Sequence, residues 1–570
     1  MKPQQIADIL AQHDAYWDAQ RAELREQKAF YMVNYWKERQ AVPYGDRSQV
    51  LRTELPKGYA VVESYLGSLY AKNPAVSVGP DIRGRGNPEV SQATANRYLL
   101  QIREQLEDAT RLALVFPCAF LKLAPVDNVD PLKRVSTAAV PPWQVIVDAS
   151  SSSWSGQRYV GHVYLMPLEE AAARYNKRNN GFQTRSYSSW VDQLSETAAA
   201  AGQSTQPVND TGRWVRVVEF YDLTEDRLLV WSPDFKEGDR YLFEGVQVQV
   251  GALEANAAAA AGLPVDTEHV RSGIPYKSAS GRPIVPIIPL YFSRDPEVPM
   301  RGLALLWRIR DQLREANVMR TYQAQGVRRM ARQWMVREGF LSDESASKLA
   351  AGLDGEFIEV DAPPGTPLAG ELIPVSNPPI PADIGLYGQQ VLQDINEAGL
   401  LAPFTRGQAT GATATENRLL AAYSSSEIGR MARIRDSVIS LAASTYNVML
   451  SVLLGDEAEP LTLPNPIGPT MLSAEDLTGD FEYFAVDSGS TPVSDLAKQQ
   501  ALVTQAPLLL QLGVPPDKLR EELVRVFGFP ADFNAPAEEP APAPAAAALP
   551  EAATDAAMPE APGLPPNRSL

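Results

Sequence analysis

No proline interrupts the chain between Thr413 and Leu454, and a helix over 414–454 is therefore open to it. Such a helix would run roughly 60 Å at about 1.5 Å per residue. Few compact domains need one that long, so the rest of the fold has to be arranged along it. Thr413-Ala414-Thr415-Glu416 marks its start as a capping box: the threonine accepts from the first turn while the glutamate reaches back. Ile428, Met431, Val438, Leu441, Met449 and Val452 recur at helical spacing, and Arg430, Arg433 and Arg435 crowd the middle. Gly429 is the natural place for a kink, because glycine weakens a helix interior.

A second proline-free run, Leu303 to Trp334, places Leu305, Ile309, Leu313, Ala316, Met319, Val327, Met330 and Trp334 on one helical face. Arg310, Arg314, Asn317, Thr321, Gln325, Arg328 and Arg332 form a second stripe on roughly the opposite side. From Met300 to Arg337 there are nine Arg and no Lys, against Asp311 and Glu315 alone. A chain of net charge −17 has thus concentrated positive charge on one helix. Two readings are open to it: arginines that solvate an exposed face or pair with acids on a neighbour, or a positive lining that meets a polyanion.

Between the two long helices, Trp334 to Val336, Phe357 to Val360 and Leu372 to Val375 read as short strands with a turn at Pro363-Pro364-Gly365. The run 381–401 then returns as a helix, and Pro403 to Gly411 forms a loop whose one basic residue is Arg406.

This order resembles tailed-bacteriophage portal (head-to-tail connector) proteins. Pro286-Ile287-Ile288-Pro289-Leu290 leading into Arg301-Gly302 and the Arg-rich helix is similar to their stem entry, and the Thr-Ala-Thr-Glu box after a Gly/Thr loop is similar to theirs. The resemblance implies an α+β, multidomain subunit. Its parts would be a mixed α/β wing (1–299), stem helix 1 (300–333), a small α/β clip (334–380), stem helix 2 (381–401), a tunnel loop (402–413), the wing again with a long kinked helix and a return strand (414–490), a helical crown (491–534) and a tail (535–570). It implies a homo-oligomeric ring of about twelve copies at one capsid vertex, through which double-stranded DNA enters and leaves. The clip would dock the large terminase subunit and later head–tail adaptor or tail proteins, with Glu356, Phe357 and Glu359 as contact residues. Major capsid and scaffolding proteins would surround the ring. Arg406, with Arg310, Arg314, Arg328 and Arg332, would face the channel, unless the stem arginines form salt bridges between subunits. The place of action would be the portal vertex of the virion, after synthesis in the host cytoplasm.

Composition narrows the alternatives. With 45% apolar and 21% charged residues, 570 residues can build several ordinary cores. The lone cysteine, Cys118, sits in the apolar run Leu112 to Leu123 and reads as a small buried hydrophobe. Met1 to Gln5 carries no apolar signal core, and no stretch approaches the about 18 apolar residues of a membrane span. The acidic balance disfavours nucleic acid over the whole surface while leaving a local basic lining open.

The N-terminal part is read as helical: one pattern over 3–40 with an aromatic set at Tyr16, Trp17, Phe30, Tyr31, Tyr35 and Trp36, then Tyr59 to Ala71 and Ser91 to Phe116. Cys118 to Ala124, Trp143 to Val147, Tyr159 to Leu165, Trp214 to Tyr221, Arg227 to Ser232, Tyr241 to Val250 and Pro283 to Phe292 read as strands. A short helix follows Pro167, and 179–211 reads as a long surface loop or insertion. Phe481 to Val486 reads as a strand, and Val493 to Gln511 and Pro515 to Phe527 as helices. From Ala535 onward, nine Pro among many Ala and five acids predict a disordered acidic tail.

The chemistry of enzymes finds no pattern here. His13, His162 and His269 are far apart, and with one cysteine they make no conventional zinc site. There is neither a G-x-x-x-x-G-K-[ST] phosphate cradle nor a G-x-S-x-G elbow. No cofactor and no catalytic residue is expected. The competing readings are a carboxylate-dependent hydrolase with a helical arm and a monomeric nucleic-acid-binding module.

Overall fold

The computed structural model describes residues 1–38, 52–183, 214–244, 273–331, 334–336, 341–351, 360, 372–374, 382–399, 414–455, 461–463 and 470–486, apart from 82, 127, 239, 279–280 and 298–299. The chain divides into Met1–Thr491 and Pro492–Leu570, and the described residues all belong to the first unit. Within it the fold is α+β, helices combined with antiparallel sheets.

The long helix spans Ala414–Leu454 and forms the spine of the largest core. Met431, Ile439, Ala442, Ala443, Met449 and Leu450 are buried along it. Tyr446 stacks on Tyr98 of the helix Pro88–Gln101, ring centroids 3.9 Å apart and nearly parallel, and donates its hydroxyl to the Leu132 carbonyl at 2.9 Å. Asn447 donates to the Ser91 carbonyl at 3.0 Å, so a buried amide ties the same two helices. Leu441, one of the apolar positions at helical spacing, is instead 41% exposed. The stretch Glu427–Leu454 is long and apolar enough to cross a membrane, and it is here a core helix, most of it buried inside the protein.

Strands flank this core. Strands β1 (Val76–Val78) and β14 (Tyr483–Ala485) pair antiparallel beside the long helix. A three-stranded sheet has β2 (Ala119–Pro125) between β3 (Val135–Val140) and β9 (Ile287–Leu290). A five-stranded antiparallel meander follows in the order β4 (Val145–Val147), β5 (Tyr159–Pro167), β6 (Trp214–Asp222), β7 (Arg227–Trp231) and β8 (Phe243–Glu244). Small pairs join β10 (Trp334–Val336) to β11 (Leu372–Pro374), and β12 (Leu461–Leu463) to β13 (Thr470–Leu472).

Two expected helices are each divided in two. The N-terminal pattern stops at Met32 and resumes over Tyr35–Glu38, because Val33 takes a left-handed conformation (φ 54°, ψ 47°) and its N–H closes onto the Ala29 carbonyl. A valine there is strained. The turn lets Tyr35 fold back and stack on Phe30 at 5.1 Å, and both rings are buried. The pattern 91–116 splits at Ile102 into Pro88–Gln101 and Arg103–Val115. Strand β3 is an element the sequence pattern missed, since Ser136-Thr137-Ala138-Ala139 carries no large apolar alternation. It is fixed by its register with β2. The segments 184–213, 245–272 and 487–570, which include the expected insertion, His269, the crown helices and the tail, lie outside the described residues.

A buried polar group joins the two larger sheets. Lys122 of β2 reaches across to His162 Nδ1 of β5 at 2.8 Å and forms an ion pair with Glu219 of β6. Tyr164 donates to the other Glu219 oxygen at 3.1 Å. Burial and the adjacent ammonium press His162 down to about 3. For Glu219 burial works upward, but Lys122 and His162 overcome it and hold the carboxyl down at about 2. Both groups take up protons more readily unfolded than folded. His162 therefore contributes stability that is complete above its ordinary 6.5 and drains away as pH falls toward about 3, by up to about 1.4 kcal/mol per pH unit for each proton. His13, also lowered by burial, adds to the same slope. Urea midpoints should fall between pH 6.5 and 4.5, and His162→Gln should flatten the dependence. Identical pH profiles for the two proteins would remove His162 from this role.

Cys118 is buried, and burial pushes its thiol up to about 12, so it packs as the small hydrophobe expected.

Candidate functional site

The arginine-rich segment forms a helix that starts in the core, and a second helix, without Arg or Lys, comes back. Met300, Ala304, Leu305 and Leu306 anchor the start, a short turn Leu305–Arg308 gives way at Ile309, and the outgoing helix runs Arg310–Ala331. The return helix is Ala382–Ala398. Ile309, Leu313 and Ala316 share the main core with Val391 and Ile395; farther along, Gln323 lies against Gly388; beyond the helices, Trp334 pairs with Pro374. Numbers rise along one element while they fall along its partner, so the two helices are antiparallel and form a hairpin. Between them lies the β10–β11 pair with the helix Asp343–Ala351. Tyr387 of the return helix donates to Glu315 of the outgoing one.

The hairpin is bolted to the core at its base. Asn317 and Thr321 are buried and hold an extended segment: the Leu55 N–H donates to Asn317 Oδ1 at 2.8 Å, and Thr53 exchanges two hydrogen bonds of 3.1 Å with Thr321. Both residues lay on the polar stripe of the sequence, roughly opposite the apolar face. Arg308 forms an ion pair with Glu427 of the long helix at 2.8 Å, and Arg430 donates to the Phe292 carbonyl at 2.6 Å. Tyr65 donates to the Gly399 carbonyl at 3.0 Å, fixing the chain where the return helix ends.

Two of the five candidate channel arginines have described side chains. Arg310 pairs with Glu23 at 3.2 Å and lies over the Trp307 ring at 4.5 Å. Arg314 makes a two-pronged contact with Glu26, Nε to Oε1 at 2.7 Å, and also reaches Asp311 at 2.7 Å. The Glu26 hydrogen bond, more than any other influence, raises Arg314 above its ordinary value, so its charge is locked in place. Both partners stand three residues apart on the helix Pro3–Met32, which also holds Arg216 through Asp14 with two contacts of 2.7 Å. The acids that receive these arginines thus come from the same chain. The helix backbone reaches Arg328, but its side chain, and all of Arg332, Arg406, Glu356, Phe357 and Glu359, lie outside the described residues.

Glu23, Glu26 and Asp14 are the residues that sequence reasoning passed over. Glu23 and Glu26 share one helical face, with Asp14 on another, but nothing local says that a helix nearly 300 residues later would meet the first pair or that a strand about 200 residues later would meet Asp14. Among the described residues no group of His, Cys, Asp and Glu is gathered as a metal site would require. Comparison with protein-family models and with curated proteins returned no match.

Proposed function

We propose that this chain is the subunit of a closed ring whose helical hairpins surround an axial channel for double-stranded DNA, in the manner of the tailed-phage portal proteins it resembles. The observation that carries the reading is the hairpin: two antiparallel helices rise from the core, bracket a small β-bearing insert, and feed the long buried helix. An element rooted so firmly and extended beyond its own core is suited to packing beside copies of itself. The ring has about twelve subunits, sits at one capsid vertex of the virion amid capsid and scaffolding proteins, and conducts DNA rather than cutting it.

In this reading the charge on the hairpin is divided. Arg310 and Arg314, neutralised by Glu23 and Glu26, set the angle at which the hairpin leaves the core. Contact with phosphate falls to Arg406 in the loop, with Arg328 and Arg332 on the upper hairpin. A guanidinium stays charged and offers several donors, and a channel through which DNA slides needs only weak, sequence-independent contact. The insert carrying Glu356, Phe357 and Glu359 docks the large terminase subunit and then adaptor or tail proteins.

Negative-stain micrographs of the purified chain should show rings with a central hole; monomers or open fibres under all conditions would defeat the reading. In an infectious system Arg406→Ala should alter DNA packaging or retention while leaving ring assembly intact. Particles that fill and hold their genomes normally would take the loop out of the DNA path. Glu356→Lys with Glu359→Lys should impair packaging or tail joining with rings intact, and normal particles would move docking elsewhere.

A further inference from the structure

The return helix carries a stripe that is largely open, the outgoing helix touching it where Tyr387 donates to Glu315. Val391 and Ile395 are buried toward the core. At 100° per residue, Asp383, Leu386, Tyr387, Gln390, Asp394 and Glu397 fall together on an adjoining face. Leu386 is 64% exposed there and Tyr387 47%. Asp394 and Glu397 accept only from Gln390 at 3.0 Å and Gln393 at 2.7 Å of their own helix, and with Asp383 they form no ion pair among the described residues. The helix contains three acids and neither Lys nor Arg. Exposed leucine and tyrosine set among unpaired carboxylates make a face with apolar area to bury and a definite sign of charge.

The complement lies on the other arm of the hairpin. The outgoing helix carries Arg310, Arg314, Arg320, Arg328 and Arg329 against Asp311 and Glu315. The first two arginines are held by Glu23 and Glu26, whereas Arg320 is exposed and makes no ion pair among the described residues. We infer that the Asp383–Glu397 stripe of one copy binds the arginine-bearing outgoing helix of a second copy around Arg320, Leu386 and Tyr387 supplying the buried area and the charges fixing direction. The inference rests on the ring reading above and names what joins its neighbours.

Two consequences follow from the geometry. The faces differ, so the contact is heterologous, runs head to tail, and closes only when the rotation per copy divides a circle. The charge term governs orientation and encounter more than affinity, so assembly slows with salt while the apolar pair holds the product together.

Mass by light scattering of the full chain tests this. Asp394→Arg with Glu397→Arg, and separately Arg320→Glu, should convert the assembled protein to 62.2 kDa monomers with unchanged circular dichroism. Combining all three substitutions in one chain should restore the oligomer. The milder Asp394→Asn with Glu397→Gln, which leaves helix and volume undisturbed, should slow assembly at low salt at least tenfold. An assembled wild type whose charge-reversed and neutral variants assemble equally well would overturn this interface and leave the ring standing. Failure of the triple variant to reassemble would overturn Arg320 as the partner. A monomeric wild type would overturn ring and interface together.

Discussion

Gly302→Ala is expected to cost at least about 3 kcal/mol, at or beyond the top of the range for overpacked sites, and so to consume a large part of the about 5–15 kcal/mol that holds an ordinary domain together. A β-carbon at this position would lie 1.8 Å from the Pro117 carbonyl oxygen and 3.0 Å from that of Ser293. Neither oxygen is free to retreat. Pro117 directly precedes Cys118 and β2, the central strand of its sheet, while Ser293 accepts from the Leu303 N–H at 2.9 Å. The glycine is thus required by close backbone approach, at the point where the chain passes from β9 toward the hairpin. Gly429→Ala is the matched control. Nothing lies within 4 Å of the added carbon in the middle of the long helix, so helix propensity alone should raise stability by about 0.5–1 kcal/mol. Urea unfolding of both variants decides the point: an unchanged midpoint for Gly302→Ala would mean that the approach of the two backbones is looser than described.

The second large effect is at the buried ion pair between the sheets. Lys122 and Glu219 are 11% and 14% exposed, and removing one partner leaves the other charge desolvated without compensation. Glu219→Gln should cost about 3–5 kcal/mol, because the amide cannot balance the ammonium beside it. Lys122→Met together with Glu219→Leu should recover most of that loss, since two apolar side chains carry no desolvation penalty. If the double variant were as unstable as Glu219→Gln, the cost would lie in the shape of the site and not in its charge.

Much of the architecture was legible where the cause is local. Trp334-Met335-Val336 and Leu372-Ile373-Pro374 are short β-prone runs bounded by turn residues, and they pair as β10 and β11. The proline-free runs became the outgoing, return and long helices. What periodicity cannot supply is the identity of the opposing surface. It placed Asn317 and Thr321 on a polar stripe, yet both are buried because residues 53–55 bring backbone N–H and carbonyl groups to them. It counted Leu441 toward the apolar side, where the structure leaves it exposed. Val33 could not be foreseen as a helix stop, because its left-handed conformation is imposed by Tyr35 stacking on Phe30 and runs against the residue's own preference. The same limit applies to the arginines: a cluster of positive charge announces that something negative is near, and only the folded chain says that for Arg310 and Arg314 it is Glu23 and Glu26.

The functional reading depends on the hairpin, and the exposed Leu386 of its return helix, set among acids with no ion pair among the described residues, is the reason to expect neighbours. The mass of the purified wild-type protein in solution, by light scattering or native mass spectrometry at moderate salt, addresses this most directly. One discrete species of several hundred kilodaltons is expected, a whole multiple of 62.2 kDa that does not grow with concentration, as a closed ring requires. A single species at 62.2 kDa over the whole concentration range, or an unbounded ladder of ever larger masses, would contradict it.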